Sequence, residues 1–365
     1  MPLPPLPYLD DFRDRGLVRS LLADLEERFS QPVKVMEICG THTMAVSRHG
    51  LRQAVPENLS LISGPGCPVC VTSNRDIDTF IEMAMRPEVI AATFGDMLRV
   101  PGTRTGLAEA RSRGADVRVV YSTLDALAVA RKNPGREVVF FGVGFETTAP
   151  TVAAAIAEAA ASGLSNFSVF SAHKTMPPAL EALSAAPGLS IDAYLCPGHV
   201  SAIIGPDAYA PVVSEHGIPC VIAGFEPVDI LQALIMIAAQ LVEGKASVEV
   251  QYSRGVGPGG NPAARDMMEL IFEPCDAEWR GLGTIPESGL AIRHQFAGHD
   301  ATRRFEVDVS WSQEPRGCIC GAILTGRKNP RDCDLFGRAC LPEKPVGPCM
   351  VSSEGTCAAY YQYEI

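Results

Sequence analysis

The chain has 365 residues, 47% of them hydrophobic and only 20% charged, which is enough apolar mass for two or three domains with sizeable cores. A formal net charge of −11 leaves no basic face to neutralise phosphates, so a nucleic-acid partner is excluded. No run of about 18 apolar residues marks a membrane span, and the opening MPLPPLPYLDDFRDRG lacks the features of a secretory signal, so a cytoplasmic location is expected. The Pro-rich start is expected to be mobile over about the first dozen residues.

Short β-branched runs alternate with amphipathic helical patterns over most of the chain. Strands are predicted at Val33–Ile38, Leu59–Ser63, Val89–Phe94, Val117–Tyr121, Glu137–Phe141, Phe167–Phe170, Asp192–Leu195 and Pro219–Ala223. Helices fit between most of them, at Asp76–Ala84, Thr105–Arg113, Thr123–Arg131, Pro150–Ala161 and Pro177–Leu183. Such alternation builds βαβ units and mainly parallel sheets. The strands divide into two sets of four near Asn133-Pro134-Gly135. The expected fold class is therefore α/β, with two doubly wound, Rossmann-like parallel-sheet domains facing a cleft, in preference to a single eight-stranded barrel. The long apolar helix Pro227–Leu241 and the strand-like Ser247–Arg254 precede a GVGPGGNP turn at Gly255–Pro262, a natural boundary. The expected domains are 1–132, 133–255 (with 224–255 free to pack back on the first) and a smaller Cys-rich C-terminal domain, 256–365.

Ligands of open α/β sheets bind beyond the carboxyl ends of the strands. The loops there read CGTHT, SGPGCPVC, FGDMLRVPGT, GVGFETTAP, SAHKTMPP, CPGHVSAIIG and AGFEP. Cys39 ends the first strand, and a helix starting near Thr41 would aim free N–H groups at its sulfur and favour thiolate. His42 follows closely enough to share an ion or accept a proton; the bland alternative is a buried apolar Cys39 and a helix-start His42. Cys67 and Cys70 form a Cys-Pro-Val-Cys turn, which suits a redox pair better than half a zinc site. Glu146, with Thr147 and Thr148, opens a helix, where capping is the ordinary role. His173 and His199 also follow strands. No Walker A or GxGxxG sequence supports nucleotide binding.

Six of the twelve cysteines crowd between Cys318 and Cys357 in a Gly- and Pro-rich stretch. A reducing compartment favours metal over disulfides there. The irregular spacing suits a four-iron–four-sulfur cluster better than a zinc ribbon. In an extended Cys-X-Cys the side chains alternate, so Cys318 and Cys320 are not expected to share a cluster. The candidate ligands are Cys318, Cys333, Cys340 and Cys357, with Cys320 and Cys349 as substitutes.

Taken together, CGTHT, GPGCPVC, GFETTAP, PGHVS and the closing GPCMVSSEGTCAAYY, in order from about Val33 to Tyr361, resemble the HypD family of hydrogenase maturation proteins. The resemblance implies a cytosolic accessory protein for nickel–iron hydrogenases, with two α/β domains and a third carrying a 4Fe-4S cluster. It further implies a scaffold shared with a HypC-type chaperone, on which an Fe(CN)2CO group destined for the hydrogenase large subunit is assembled. A HypE-type protein would donate the cyanides. Carried onto this chain, Cys39 is the iron-binding cysteine and His42 its neighbour, and Cys67 and Cys70 pass electrons between cluster and iron. Glu354, in the final motif, faces the cleft. Thr41, Thr43, Glu146, Thr147, His173 and His199, in the loops after the strands, are the cofactor-binding candidates read from the residues themselves. The resemblance implies an assembly scaffold with redox activity rather than a multiple-turnover enzyme; a stand-alone iron–sulfur thiol/disulfide oxidoreductase is the alternative.

Overall fold

The computed structural model describes residues 11–188 and 190–364; the Pro-rich start expected to be mobile falls largely on residues 1–10, outside them. In chain order the strands are β1 (Val33–Glu37), β2 (Leu59–Ser63), β3 (Val89–Thr93), β4 (Asp116–Val119), β5 (Glu137–Gly142), β6 (Phe167–Ser171), β7 (Ala193–Pro197), β8 (Cys220–Ala223), β9 (Val248–Val250), β10 (Phe272–Trp279) and β11 (Gly283–Ile292). They form a five-stranded sheet of order β2-β1-β7-β8-β9, a four-stranded sheet of order β4-β3-β5-β6, and the hairpin β10-β11. Both larger sheets are parallel throughout, in register Val33↔Leu59 between β1 and β2, and Val89↔Glu137 between β3 and β5. Open sheets exclude the eight-stranded barrel.

The strands β3 (VIAAT) and β7 (AYLCP) are buried at every residue, because helices cover both faces of a parallel sheet. Helix starts follow local chemistry. The Ser73 side chain accepts from Asp76 N at the start of Asn74–Ala84, and Ser122 with Asp125 makes a reciprocal cap on Thr123–Lys132. The helices Ala149–Ala161 and Met176–Ser184 each carry a proline in their first turn, where no amide donor is needed. Among the described residues no helix is long and apolar enough to cross a membrane.

The expected division near Asn133 does not form. β3 and β4, expected in the first domain, pair with β5 and β6, whereas β7 and β8 return to β1. Asn133-Pro134-Gly135 is only the turn between the helix Thr123–Lys132 and β5 of one sheet. A βαβ pattern dictates that successive strands run parallel, but not which sheet edge each one joins. Inserting four strands between β2 and β7 leaves that pattern unchanged.

Nor do residues beyond 256 gather around a core of their own. Trp279, Ile285, Cys320, Leu324 and Cys349 pack with Met36 and Ile38 beneath the five-stranded sheet. Ile271, Phe272 and Ile292 pack with Phe140 and Phe167 in the other sheet. The hairpin holds the two sheets together. The chain leaves the first sheet through Thr72-Ser73 and comes back through His173-Lys174-Thr175. Thr72 bridges to Trp279, and Lys174 bridges to Gly289, so β10 and β11 each hold one crossover. The Thr175 N–H donates to Ser288 O at 2.9 Å, and Lys174 Nζ lies 3.1 Å from Asp76 Oδ2, tying the crossovers to each other.

Candidate functional site

Each sheet reverses its direction of growth once, between β1 and β7 in the first and between β3 and β5 in the second. Such switch points are where open α/β sheets bind ligands. Here the two face each other. A cavity of about 240 Å³ is lined by Cys39 and Thr41 after β1, His199 after β7, Thr147 and Thr148 after β5, and Glu354 from the C-terminal segment. An adjoining cavity of about 450 Å³ shares Pro68, Thr147, Thr148 and Glu354 and extends to Asp96 and Tyr121.

Cys39 is the N-cap of the helix Gly40–Arg48, in extended backbone conformation, with 7% of its surface exposed. Its loop is pinned by Gly66, because any Cβ there would lie 2.2 Å from Cys39 N. Gly66 O accepts from Gly40 N at 2.9 Å. Burial pushes the Cys39 thiol up to about 11, and the Glu354 carboxylate adds to that; the His42 and Thr41 N–H groups oppose it. The thiolate-favouring helix start expected from sequence is therefore outweighed by desolvation.

The remaining candidates separate into those at the cavity and those behind it. Thr41 Oγ1 donates to Glu354 Oε1 at 2.6 Å. His199 stacks on Phe225 at 3.9 Å, and Phe225 in turn stacks with the ring of His42 at 4.7 Å. His42 is fully buried and hydrogen-bonds Gly224 O through Nε2 at 2.9 Å, away from the cavity lining. Burial lowers its pKa to about 4, so it is neutral. Thr43 points to Glu37 Oε2 at 2.9 Å, into the sheet. Glu146 is buried, accepts from Met176 N at 2.8 Å, and is raised to about 7 by burial. His173 is buried against Ser171 and Phe272, and burial lowers it to about 3. These last four support the loops and do not line the cavity.

Cys67 and Cys70 sit behind Cys39, 3% and 0% exposed. A Cβ on Gly40 would stand 3.2 Å from Cys67 Cβ. Burial raises the Cys70 thiol well above its ordinary value, reinforced by hydrogen-bond contact with Cys349 and Cys67. Cys349 is also one of six cysteines (with Cys318, Cys320, Cys333, Cys340 and Cys357) that ring a second, otherwise apolar cavity lined by Ile323, Leu335, Phe336 and Met350. A chain of sulfurs thus joins the two places. All twelve cysteines are free thiols. Among the described residues, no three His, Cys, Asp or Glu side chains are gathered around a single ion. A cluster differs, since each of its irons takes its own thiolate. Cys357 faces Cys349, Cys318, Cys340 and Cys333 across this cavity, and the all-sulfur donor set fits an iron–sulfur cluster.

The alternation expected at Cys318-Ile319-Cys320 fails. Cys320 opens a short helix, Cys320–Leu324, so the segment is not extended and both sulfurs reach the cavity. The pair shares a proton unevenly: the Cys320 thiol donates to Cys318 and brings it down to about 7, while Cys320 itself is raised. Sequence reasoning named Thr148 beside Thr147 at the helix start without counting it as a site residue, and it missed Phe225, which AGFEP put after a strand.

Fold and site together define a double-sheet α/β protein with one thiol in the cleft, two behind it, and a ring of six beyond. Residues 16–364 match HypD, the hydrogenase formation hypA family. Hydrogenase maturation factor HypD of Azotobacter vinelandii is 50% identical, over 98% of this chain and 96% of that protein. Those of Rhodobacter capsulatus and Escherichia coli K12 are 47% and 45% identical, each over 98% of this chain and 98% of their own length. The chain belongs to the HypD family.

Proposed function

We propose that this chain, a hydrogenase maturation factor by family, is a cytoplasmic scaffold that holds an iron atom on Cys39 while its cyanide and carbonyl ligands are assembled. The observation that carries the reading is the single thiol of Cys39, held at the joined switch points of two sheets and facing the Thr41, Thr147, His199 and Glu354 side chains. Iron bearing cyanide and carbonyl ligands is a soft ion that suits thiolate. Capturing it displaces the Cys39 proton. A second thiolate would come from a HypC-type partner, a HypE-type donor would supply cyanide, and the finished group would pass to a hydrogenase large subunit.

Behind Cys39, closing Cys67 and Cys70 to a disulfide would release two electrons and two protons, the electrons passing one at a time to an oxidised cluster. Contact between Cys70 and Cys349 brings the pair against the cysteine ring. Cys318, Cys333, Cys340 and Cys357 would hold a 4Fe-4S cluster, with Cys320 and Cys349 as substitutes; that cluster supplies one-electron transfer when bound. Burial of Cys67 and Cys70 argues against a stand-alone oxidoreductase, because a disulfide substrate could not reach them. Free thiols throughout the chain suit a reducing cytoplasm.

The test is Cys39→Ala in the complex co-purified anaerobically with its partners. The iron–cyanide and carbonyl infrared bands should vanish while the cluster's visible absorption persists. Bands of normal intensity would remove Cys39 as the iron ligand.

A further inference from the structure

We propose that Arg280 is a positioning residue of the cysteine-ringed cavity: its two terminal guanidinium nitrogens donate to sulfur of the cluster held there and raise that cluster's reduction potential. The inference rests on the cluster reading above and adds to it a residue outside the cysteine set.

Arg280 lies in the turn between β10 and β11 and is 0% exposed, one of the largest fully buried side chains. Its backbone N–H donates to Val71 O at 2.9 Å. Its Nε donates to Thr72 O at 3.0 Å. Both contacts fix it against the end of the short helix that carries Cys70. Nη1 and Nη2 are buried and have no hydrogen-bond partner among the described residues. A guanidinium stays protonated at any physiological pH, so a full positive charge with four unused N–H groups is sealed inside the protein. Folding tolerates that only if an anion stands opposite.

The surroundings identify where the anion belongs. Gly281 packs directly on Gly321, with a built Cβ only 2.3 Å from Gly321 Cα, which sets Arg280 beside the start of the Cys320 helix. Across that contact the Arg280 charge is felt at both Cys318 and Cys320. Glu314, the acid on the facing loop, is exposed and is engaged by the Gly281 N–H at 2.8 Å instead. Four thiolates around an iron–sulfur cluster give a net negative group whose charge grows on reduction. Hydrogen bonds to its sulfurs and a nearby cation both favour the reduced form. Arg280 is fixed to the Cys70 segment through Val71 and Thr72, and its neighbour Gly281 packs on the Cys320 helix, so it sits between the thiol pair and the cysteine ring.

The experiment compares wild type with Arg280→Gln and Arg280→Lys, all purified anaerobically. Iron and acid-labile sulfide in the wild type come first; their absence would sink the cluster reading, and the proposal with it. With the cluster present, a potentiometric titration followed by electron paramagnetic resonance reads the midpoint. Arg280→Gln should leave the cluster at least tenfold less reduced at the wild-type midpoint, about 59 mV for one electron. Arg280→Lys should fall between. A Gln variant with full iron and sulfide and an unmoved midpoint overturns the proposal. Should the Gln variant not fold, wild-type protein made with arginine labelled with ¹⁵N at its terminal guanidinium nitrogens gives an independent reading. Pulsed resonance on its reduced cluster should detect nitrogen coupling, and absence of that coupling is equally fatal.

Discussion

Thr41 donates a 2.6 Å hydrogen bond to Glu354 across 313 residues, joining the loop after β1 to the last loop of the chain. Gly40 lies beneath the pair, where a Cβ would come within 2.7 Å of Glu354 Cβ. One wall of the Cys39 cavity is therefore built only when the C-terminal segment docks. The Glu354 charge also helps to hold the Cys39 proton on. Glu354→Gln keeps an acceptor for Thr41 but removes that charge, so thiolate at Cys39 becomes more frequent. Alkylation of Cys39 at about pH 8, followed by peptide mass spectrometry, should run several-fold faster than in wild type. An unchanged or slower rate would mean that Glu354 acts on Cys39 only through packing.

The same thiol sets a pH dependence. Because burial raises Cys39 to about 11, it is protonated throughout the ordinary range, and iron binding must expel one proton. Apparent iron affinity should rise roughly tenfold per pH unit below that value, levelling only above it. Titrating the cyanide infrared bands against a competing chelator from about pH 6 to 9 checks the slope. A flat profile would show that the captured ion does not displace this proton.

Lys174 and Asp76 join the two crossovers at 3.1 Å, with the lysine 3% and the aspartate 22% exposed. Asp76→Asn leaves an ammonium group buried without its counter-charge. After allowance for the partly exposed aspartate, the loss should be about 2 kcal/mol in urea unfolding. Amide exchange should quicken at Thr72 and Lys174, where the hairpin bridges attach. A change below about 0.5 kcal/mol would place the crossovers' stability in the hairpin alone.

The eight strands predicted up to Ala223 lie within two residues of observed ones at either end, because β-branched runs between helical patterns are short and well marked. The strand-like Ser247–Arg254 overruns β9, and the hairpin strands β10 and β11 were not anticipated. Sheet membership was not legible: the return of β7 to β1 depends on contacts far apart in sequence. Cys39, Thr41, Thr147 and His199 could be read as neighbours because loops after parallel strands share one end of the fold; Glu354 follows no strand and was reached only through the family resemblance of its motif. His42, Thr43, Glu146 and His173 follow the same strands, but a one-residue step turns them into the core, and spacing alone does not reveal the helix start that decides it. Arg280 left no signal either. An arginine in a hairpin turn reads as an ordinary surface residue until its burial is known.

The C-terminal helix Thr356–Tyr363 docks on the Cys39 helix through a buried ionic network, and this is the most exacting part of the fold. Arg52 Nη2 lies 3.0 Å from Glu37 Oε1, and its Nε lies 3.2 Å from Glu364 Oε1. Ser47 donates to Glu364 at 2.6 Å, while Thr43 and Ser63 donate to Glu37. The guanidinium also lies over the Tyr360 ring at 5.0 Å. Two nearly sealed carboxylates thus depend on one cation, which presents a planar fork that lysine cannot reproduce. Arg52→Met should destabilise the chain by about 3–5 kcal/mol in urea unfolding, more than most core truncations. Arg52→Lys should recover only part of that loss. Both variants should loosen Glu354 along with the helix that follows it, so Cys39 alkylation should accelerate in parallel with the lost stability. A destabilised variant whose Cys39 reacts at the wild-type rate would show that the cavity wall stands independently of the helix.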